Sequence, residues 1–357
     1  MASNKGGCAG HWEKLAAMPT KRVYSAPVEV DGILYVVGGC DSLGKPIDSL
    51  ESYDPKKNKW RRLANMPTPR AGPAVVAVDG CIVAIGGVGH DQLPVNRVEM
   101  YNVKSKTWSL LKPLYEEVMG VSAVVFENNI IVIGGMKKNT DPSSKVTVLD
   151  IKENVWHELP DLLTPRYATS SYLINKKLYV LGGRHGKKAT PAFEMLDLGL
   201  SVDDRKWVKL PDIPSKRVFP CYASSDTHFF SLGGLHENPQ SRDVNDRFSD
   251  VMESYDIEKG EWAVNTPMIT KRGDFSAAYM NGKVIAAVGM SNQGNALTEV
   301  EEFDLTTNQW EKVEATSVAQ CSCASIVFKN RFLIIGGLSN QGPCNHMQAY
   351  GIKTKSS

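Results

Sequence analysis

Arg22, Arg70, Arg166, Arg217 and Arg272 each stand ten residues after a tryptophan, and Val118 and Gln320 occupy the two other equivalent positions. A guanidinium presents a planar fork of donors that suits carboxylates and phosphates. Repeated at one spacing, these arginines are expected to converge on one face as a candidate partner-binding surface for carboxylates or phosphates. The architectural reading of the same pattern is that they satisfy loop carbonyls or pair with acids between repeats. Arg184 and Lys187, with His185 and Lys188, add a basic sector, as do Met136, Lys137 and Lys138. Tyr24, Tyr167, Phe219 and Phe275 follow the arginines closely and are candidate anchors for the partner, or packing residues between repeats. A long segment from Leu235 to Asp250, carrying His236, Arg242, Arg247 and Phe248, is a recognition element or a mobile loop.

Catalytic signatures are sparse. The chain has no His-Glu-x-x-His run, no Gly-x-Ser-x-Gly elbow and no phosphate loop. Its seven histidines are isolated in sequence, so no metal and no cofactor is expected. Cys321 and Cys323 point to the same side of a strand and read as buried thiols. The reading is therefore a binding module and not an enzyme. The alternative is a small-molecule hydrolase, lyase or isomerase, which would bring groups such as His185, Asp250 or Asp274 together in a closed pocket.

The elements that position these residues come from a repeat. Trp12, Trp60, Trp108, Trp156, Trp207, Trp262 and Trp310 are spaced 48, 48, 48, 51, 55 and 48 apart. Paired glycines follow 26 residues after each tryptophan at Gly38-Gly39, Gly86-Gly87, Gly134-Gly135, Gly182-Gly183, Gly233-Gly234 and Gly336-Gly337; the sixth copy, 27 residues on, reads Gly289-Met290. After each pair, and before the next tryptophan in all units but the last, stands a Tyr-like residue: Tyr53, Tyr101, Leu149, Leu196, Tyr255, Phe303 or Tyr350. Val23 to Val30, the turn signal Asp31-Gly32 and Ile33 to Val37 read as a hairpin, and Ala74 to Val78 with Cys81 to Ile85, and Ser276 to Met280 with Lys283 to Val288, repeat it. Two further short strands give four per unit, here a to d, as in a propeller blade.

The glycine pair, the Tyr-like position and the tryptophan, as in Gly38-Gly39, Tyr53-Asp54 and Trp60, resemble the kelch repeat over residues 10 to 352. Met290 and the leucines at 149 and 196 depart from that pattern. The expectation is an all-β, seven-bladed kelch β-propeller with four antiparallel strands per blade. Its blades span about 22–60, 70–108, 118–156, 166–207, 217–262, 272–310 and 320–352, with tails at 1–9 and 353–357. Because the last unit has no tryptophan after Tyr350, residues 10–16 are expected to supply the outer strand of blade seven and close the ring. The resemblance also implies partner peptides on the face of the d–a and b–c connections. Only 11 residues precede Trp12, so the ligase-recruiting domain that many kelch proteins carry at the N-terminus is not expected here.

Bulk properties narrow the partners. Lys plus Arg number 41 against 39 Asp plus Glu, so no strong field steers the chain to nucleic acid or an anionic membrane. Met1 to Gly10 lacks a signal-peptide core, no apolar run is long enough for a membrane helix, and no Asn-x-Ser/Thr sequon occurs. A cytoplasmic, monomeric scaffold or adaptor is the expectation.

Overall fold

A computed structural model describes residues 10–237 and 247–352. The two expected tails, and Arg242 of the long loop, lie outside the described residues.

Each repeat folds into a four-stranded antiparallel sheet in the order a-b-c-d, with Asp-Gly or Asn-Gly turns between strands a and b in blades one, two and six. In blade one the strands are Ala26–Val30, Ile33–Val37, Leu50–Asp54 and Lys59–Arg62. Seven such sheets form the propeller. The a strands of neighbouring blades touch one another, which places them nearest the axis. The b strands are the most buried: Leu34, Val36, Val37, Ile82, Val83 and Ile85 are inaccessible to solvent. They are continuous apolar runs because both faces of each sheet pack against neighbours.

Ring closure follows the expected route. Gly10–Leu15 pairs antiparallel with Met347–Ile352, from Gly10 opposite Ile352 to Leu15 opposite Met347, and completes the sheet of Ala324–Phe328 and Arg331–Ile335. The Trp12 and Tyr350 rings meet at 5.2 Å, the distance also seen for Tyr53 with Trp60 and Phe303 with Trp310. Six of the seven tryptophans also donate their indole N–H to a carbonyl on the linker leaving the preceding blade, as Trp60 does to Ala16 at 2.8 Å and Trp156 to Lys112 at 2.9 Å. The tryptophan therefore ties blades together as well as filling space.

The glycine pair is required by close backbone approach. Gly38 has φ 59° and a Cβ there would come within 2.5 Å of the Arg70 carbonyl oxygen; Gly39 has φ 109° and would meet the Val23 carbonyl at the same distance. The sixth copy corrects the expected register by one residue. Val288, at φ 55°, stands in the first glycine's place and Gly289, at φ 103°, in the second's. Val288 N donates to Glu299 O and Gly289 N to Gln320 O, just as Gly38 N donates to Ser49 O and Gly39 N to Arg70 O. A β-branched residue in the left-handed region costs on the order of 1–3 kcal/mol, and here its fully buried side chain joins the core between blades six and seven.

Candidate functional face at the channel mouth

Each d–a linker turns into strand a through a left-handed residue two positions after the repeat-arginine position, which Val118 and Gln320 occupy in blades three and seven. The left-handed residues are Tyr24, Gly72, Gly120, Ala168, Phe219, Asp274 and Ser322, with φ between 50° and 63°. Neighbours in this ring hydrogen-bond: Gly72 N to Tyr24 O at 2.9 Å, Ala168 N to Gly120 O at 2.8 Å and Ser322 N to Asp274 O at 3.1 Å. Bulky residues seldom adopt this conformation, yet Tyr24 and Phe219 do so and hold their rings 55% and 52% exposed. The b–c connections flank this ring and bridge to it, as at Val23 with Cys40 and Tyr167 with Arg184.

The five repeat arginines do not form this surface, which corrects the expectation for Arg22, Arg70, Arg166, Arg217 and Arg272. Four are inaccessible and Arg217 is 4% exposed. Each is paired inside its own blade with a buried glutamate on strand c: Arg22 with Glu51, Arg70 with Glu99 at 2.6 Å, Arg166 with Glu194 at 3.2 Å, Arg217 with Glu253 at 2.7 Å and Arg272 with Glu301 at 2.7 Å. The same guanidiniums donate to carbonyls at the b–c connection: Arg22 Nη1 to Gly38 O and Ser49 O, Arg272 Nη1 to Val288 O and Glu299 O. Burial pulls the Arg22, Arg70, Arg166 and Arg272 pKa down and the paired carboxylate pulls it back. The architectural reading applies, with the acid in the same blade instead of the next. The glutamates carry a signal of their own, since each stands two residues before the Tyr-like position, as in Glu51-Ser52-Tyr53 and Glu99-Met100-Tyr101.

Where both arginine and acid are lost, they are lost together. Blade three has Val118 and Thr147, and blade seven has Gln320 and Gln348, joined at 2.6 Å.

The other expected site residues divide. Lys137 pairs with Glu116 at 2.9 Å and Lys138 approaches Glu117 at 3.8 Å, so the blade-three sector is neutralised at its base. Phe275 is half-buried in the core of blades five and six, with its ring against Gly233, and is a packing residue. Phe248 is buried too, against Gly273, its N–H donating to Asn292 Oδ1 at 2.6 Å.

Blade four is different. The Arg184 guanidinium lies between two rings, 5.8 Å from the centre of Tyr167 and 5.2 Å from that of Phe219 on blade five. Tyr167 donates its hydroxyl to Gly186 O at 2.9 Å and Arg184 Nη2 donates to Lys187 O at 2.8 Å, which fix the stack. Arg184 Nε is buried without a partner, and no carboxylate among the described residues pairs with the guanidinium. Lys187, Lys188 and His185 are exposed beside it. The structure thus brings Arg184, Lys187, Tyr167 and Phe219 together on one sector; Tyr24 stands exposed on the same ring.

Asp274 is one of the groups weighed for catalysis. Burial pushes its carboxyl up, partly opposed by the Ser322 hydroxyl, which donates to it. The thiols nearby are poor nucleophiles, with burial pushing Cys221 up to about 12 and Cys321 to about 11. Among the described residues no three His, Cys, Asp or Glu side chains are placed to hold a metal ion, and no helix is long and apolar enough to cross a membrane.

Asp274→Asn tests this carboxyl. A raised folded-state pKa means that the native state binds the proton more tightly than the unfolded chain, so stability is greatest below the unfolded value near 3.9 and falls as pH rises through the folded value. Asparagine keeps a polar partner for Ser322 and tolerates the left-handed backbone. The variant is expected to melt above wild type at pH 7, with the gap closing towards pH 4, as followed by calorimetry across pH.

Comparison with known proteins agrees with the repeat. Residues 120–337 match the family described as the KLHDC2/KLHL20/DRC7 Kelch-repeats domain, and residues 21–67 and 69–114 each match the Kelch motif. Kelch domain-containing protein 8B of Rattus norvegicus and of Homo sapiens is 36% identical over 170 residues, 46% of this chain and 47% of the relative, so the match spans about half the length of these relatives. Kelch-like protein 36 of Mus musculus is 28% identical over 145 residues, covering 40% of this chain and 23% of the relative. The solved structure titled "Structure of YjhT" superposes with a TM-score of 0.65 at 17% identity, covering 84% of this chain and 99% of that one, a likeness of fold alone. With a family match across more than half of its length and a seven-bladed ring, the chain belongs to the kelch-repeat family.

Proposed function

We propose that this kelch propeller is a scaffold or adaptor that binds an acidic segment of a protein partner on the blade-four sector of the channel-mouth face. Kelch-repeat proteins generally serve as protein-interaction scaffolds or adaptors. The observation that carries the reading is Arg184, a guanidinium pre-oriented between two aromatic rings without a carboxylate, in a fold whose five repeat arginines are neutralised internally. Tyr167 and Phe219 offer apolar anchors, and Lys187 and Lys188 extend the positive charge. The six described cysteines are unpaired, which suits a reducing compartment such as the cytoplasm.

The test is fluorescence polarisation with a library of Asp/Glu-rich peptides against amide counterparts. Tight binders are expected to be acidic and to weaken with salt. Arg184→Ala is expected to weaken them about tenfold or more, about 1.4 kcal/mol, with an unchanged circular dichroism spectrum. Equal binding by the amide peptides, or no change on Arg184→Ala, refutes the site.

A further inference from the structure

Blade three has lost both members of the buried pair, and the space they fill elsewhere is open. A cavity of about 200 Å³ lies there, floored by Val118, Val132, Gly134 and Thr147 and rimmed by Tyr115 and Glu158. Leu114 adds apolar wall, and Glu116 and Lys145 also reach the rim. The remaining blades show what this space is shaped to hold. In blade one, Arg22 Nη1 donates to Gly38 O at 3.0 Å and Ser49 O at 3.1 Å; in blade two, Arg70 Nη1 donates to Gly86 O at 3.3 Å and Arg97 O at 2.9 Å. The counterparts in blade three are the Gly134 and Lys145 carbonyls, identified by the bond from Gly134 N to Lys145 O that matches Gly38 N to Ser49 O. Among the described residues no side chain donates to either carbonyl.

We propose that this cavity is a socket for an alkyl guanidinium group supplied from outside the chain. The alkyl stem would lie along Leu114 and Val118, and the planar head would donate to Gly134 O and Lys145 O, as the internal arginines do in blades one and two. Thr147 stands where the glutamate accepts in the five arginine-bearing blades. Counter-charge comes from the rim: Glu158 has no ion pair among the described residues, whereas Lys145 is engaged by Asp161 at 3.4 Å and Glu116 by Lys137 at 2.9 Å. A rim open to water spares the incoming cation full desolvation, so no buried carboxylate is needed. The carbonyl pair favours a planar multi-donor head over a compact ammonium. This site is separate from the Arg184 sector and does not depend on it.

Methyl-detected NMR of the whole chain tests the socket with ethylguanidinium at sub-denaturing concentration, using ethylammonium and the neutral isostere ethylurea as controls. Saturable shifts confined to Leu114, Val118 and Val132 are expected with ethylguanidinium, and at least tenfold weaker binding of both controls. Two variants close the socket with pairs the protein already uses: Val118→Arg with Thr147→Glu, as in blade two, and Val118→Gln with Thr147→Gln, as in blade seven. Either variant, folded by circular dichroism, is expected to abolish the shifts. A Gly-Gly-Arg-Gly-Gly peptide separates the sources: binding tighter than ethylguanidinium assigns an arginine of a partner chain, and weaker binding assigns a free guanidinium compound. Absence of saturation, equal binding of ethylurea, or shifts that survive in a folded variant overturns the proposal.

Discussion

Glu99→Ala is expected to destabilise the propeller by about 3–5 kcal/mol, because it strands a charged guanidinium in the interior of blade two. Arg70 is inaccessible to solvent, and its charge is balanced by Glu99 at 2.6 Å. The carbonyls that Arg70 also reaches, Arg97 O at 2.9 Å and Gly86 O at 3.3 Å, supply dipoles and no compensating charge. Glu99 in turn accepts from the Thr68 hydroxyl at 2.5 Å, so its removal also orphans the linker that leads into strand a. The double substitution Arg70→Val with Glu99→Thr, which copies Val118 and Thr147, is expected to cost less than Glu99→Ala alone. It removes both charges and leaves a space that blade three already tolerates. Urea denaturation of the two variants and wild type measures the difference. A double variant less stable than Glu99→Ala would mean that the pair is held by packing and not by charge compensation.

The ring, its blade count and its closure were legible because they are written in residues with few substitutes: a tryptophan that spans blades, and glycines where a Cβ would strike a carbonyl. The chemistry was half legible. The arginine spacing was plain, but spacing does not report depth, and a buried guanidinium and a surface one look alike until the acid is found. That acid does have a fixed place, two residues before the Tyr-like position, and it changes in step with the arginine at Thr147 and Gln348. Arg184 was named for its charge alone. Its stack with Tyr167 and Phe219 depends on how blades four and five meet, and residues 52 apart in the chain carry no local sign of that contact. Val288 shows the opposite failure: pairing Gly289 with Met290 preserved the first glycine at the expense of the backbone register, which follows φ and the carbonyl it approaches.

Deleting the segment before Ala16 is expected to remove most of the folding stability, on the order of 5 kcal/mol or more of the 5–15 typical of a native fold. The segment is short, yet it makes the bonds that turn an open array into a ring. It contributes the six-residue ladder against Met347–Ile352, the ring contact of Trp12 with Tyr350, and Leu15, 7% exposed in the core shared by blades seven and one. Without it the edge of Met347–Ile352 lies bare, and an unpaired apolar edge invites association between chains. Two point variants separate closure from mere contact. Leu15→Ala is expected to cost about 2–4 kcal/mol as a buried large-to-small change, whereas Glu13→Ala, which breaks only the surface pair with Arg331, is expected to cost under about 1 kcal/mol. A synthetic peptide covering residues 10 to 16, added to the deleted chain, is expected to restore the guanidinium midpoint in a concentration-dependent way, since a ligand that binds only the folded form stabilises it by mass action. If the deleted chain unfolds at the wild-type midpoint, the first strand is an ornament on a ring that is already closed, and the seam must be sought in the direct contact between the a strands of blades seven and one.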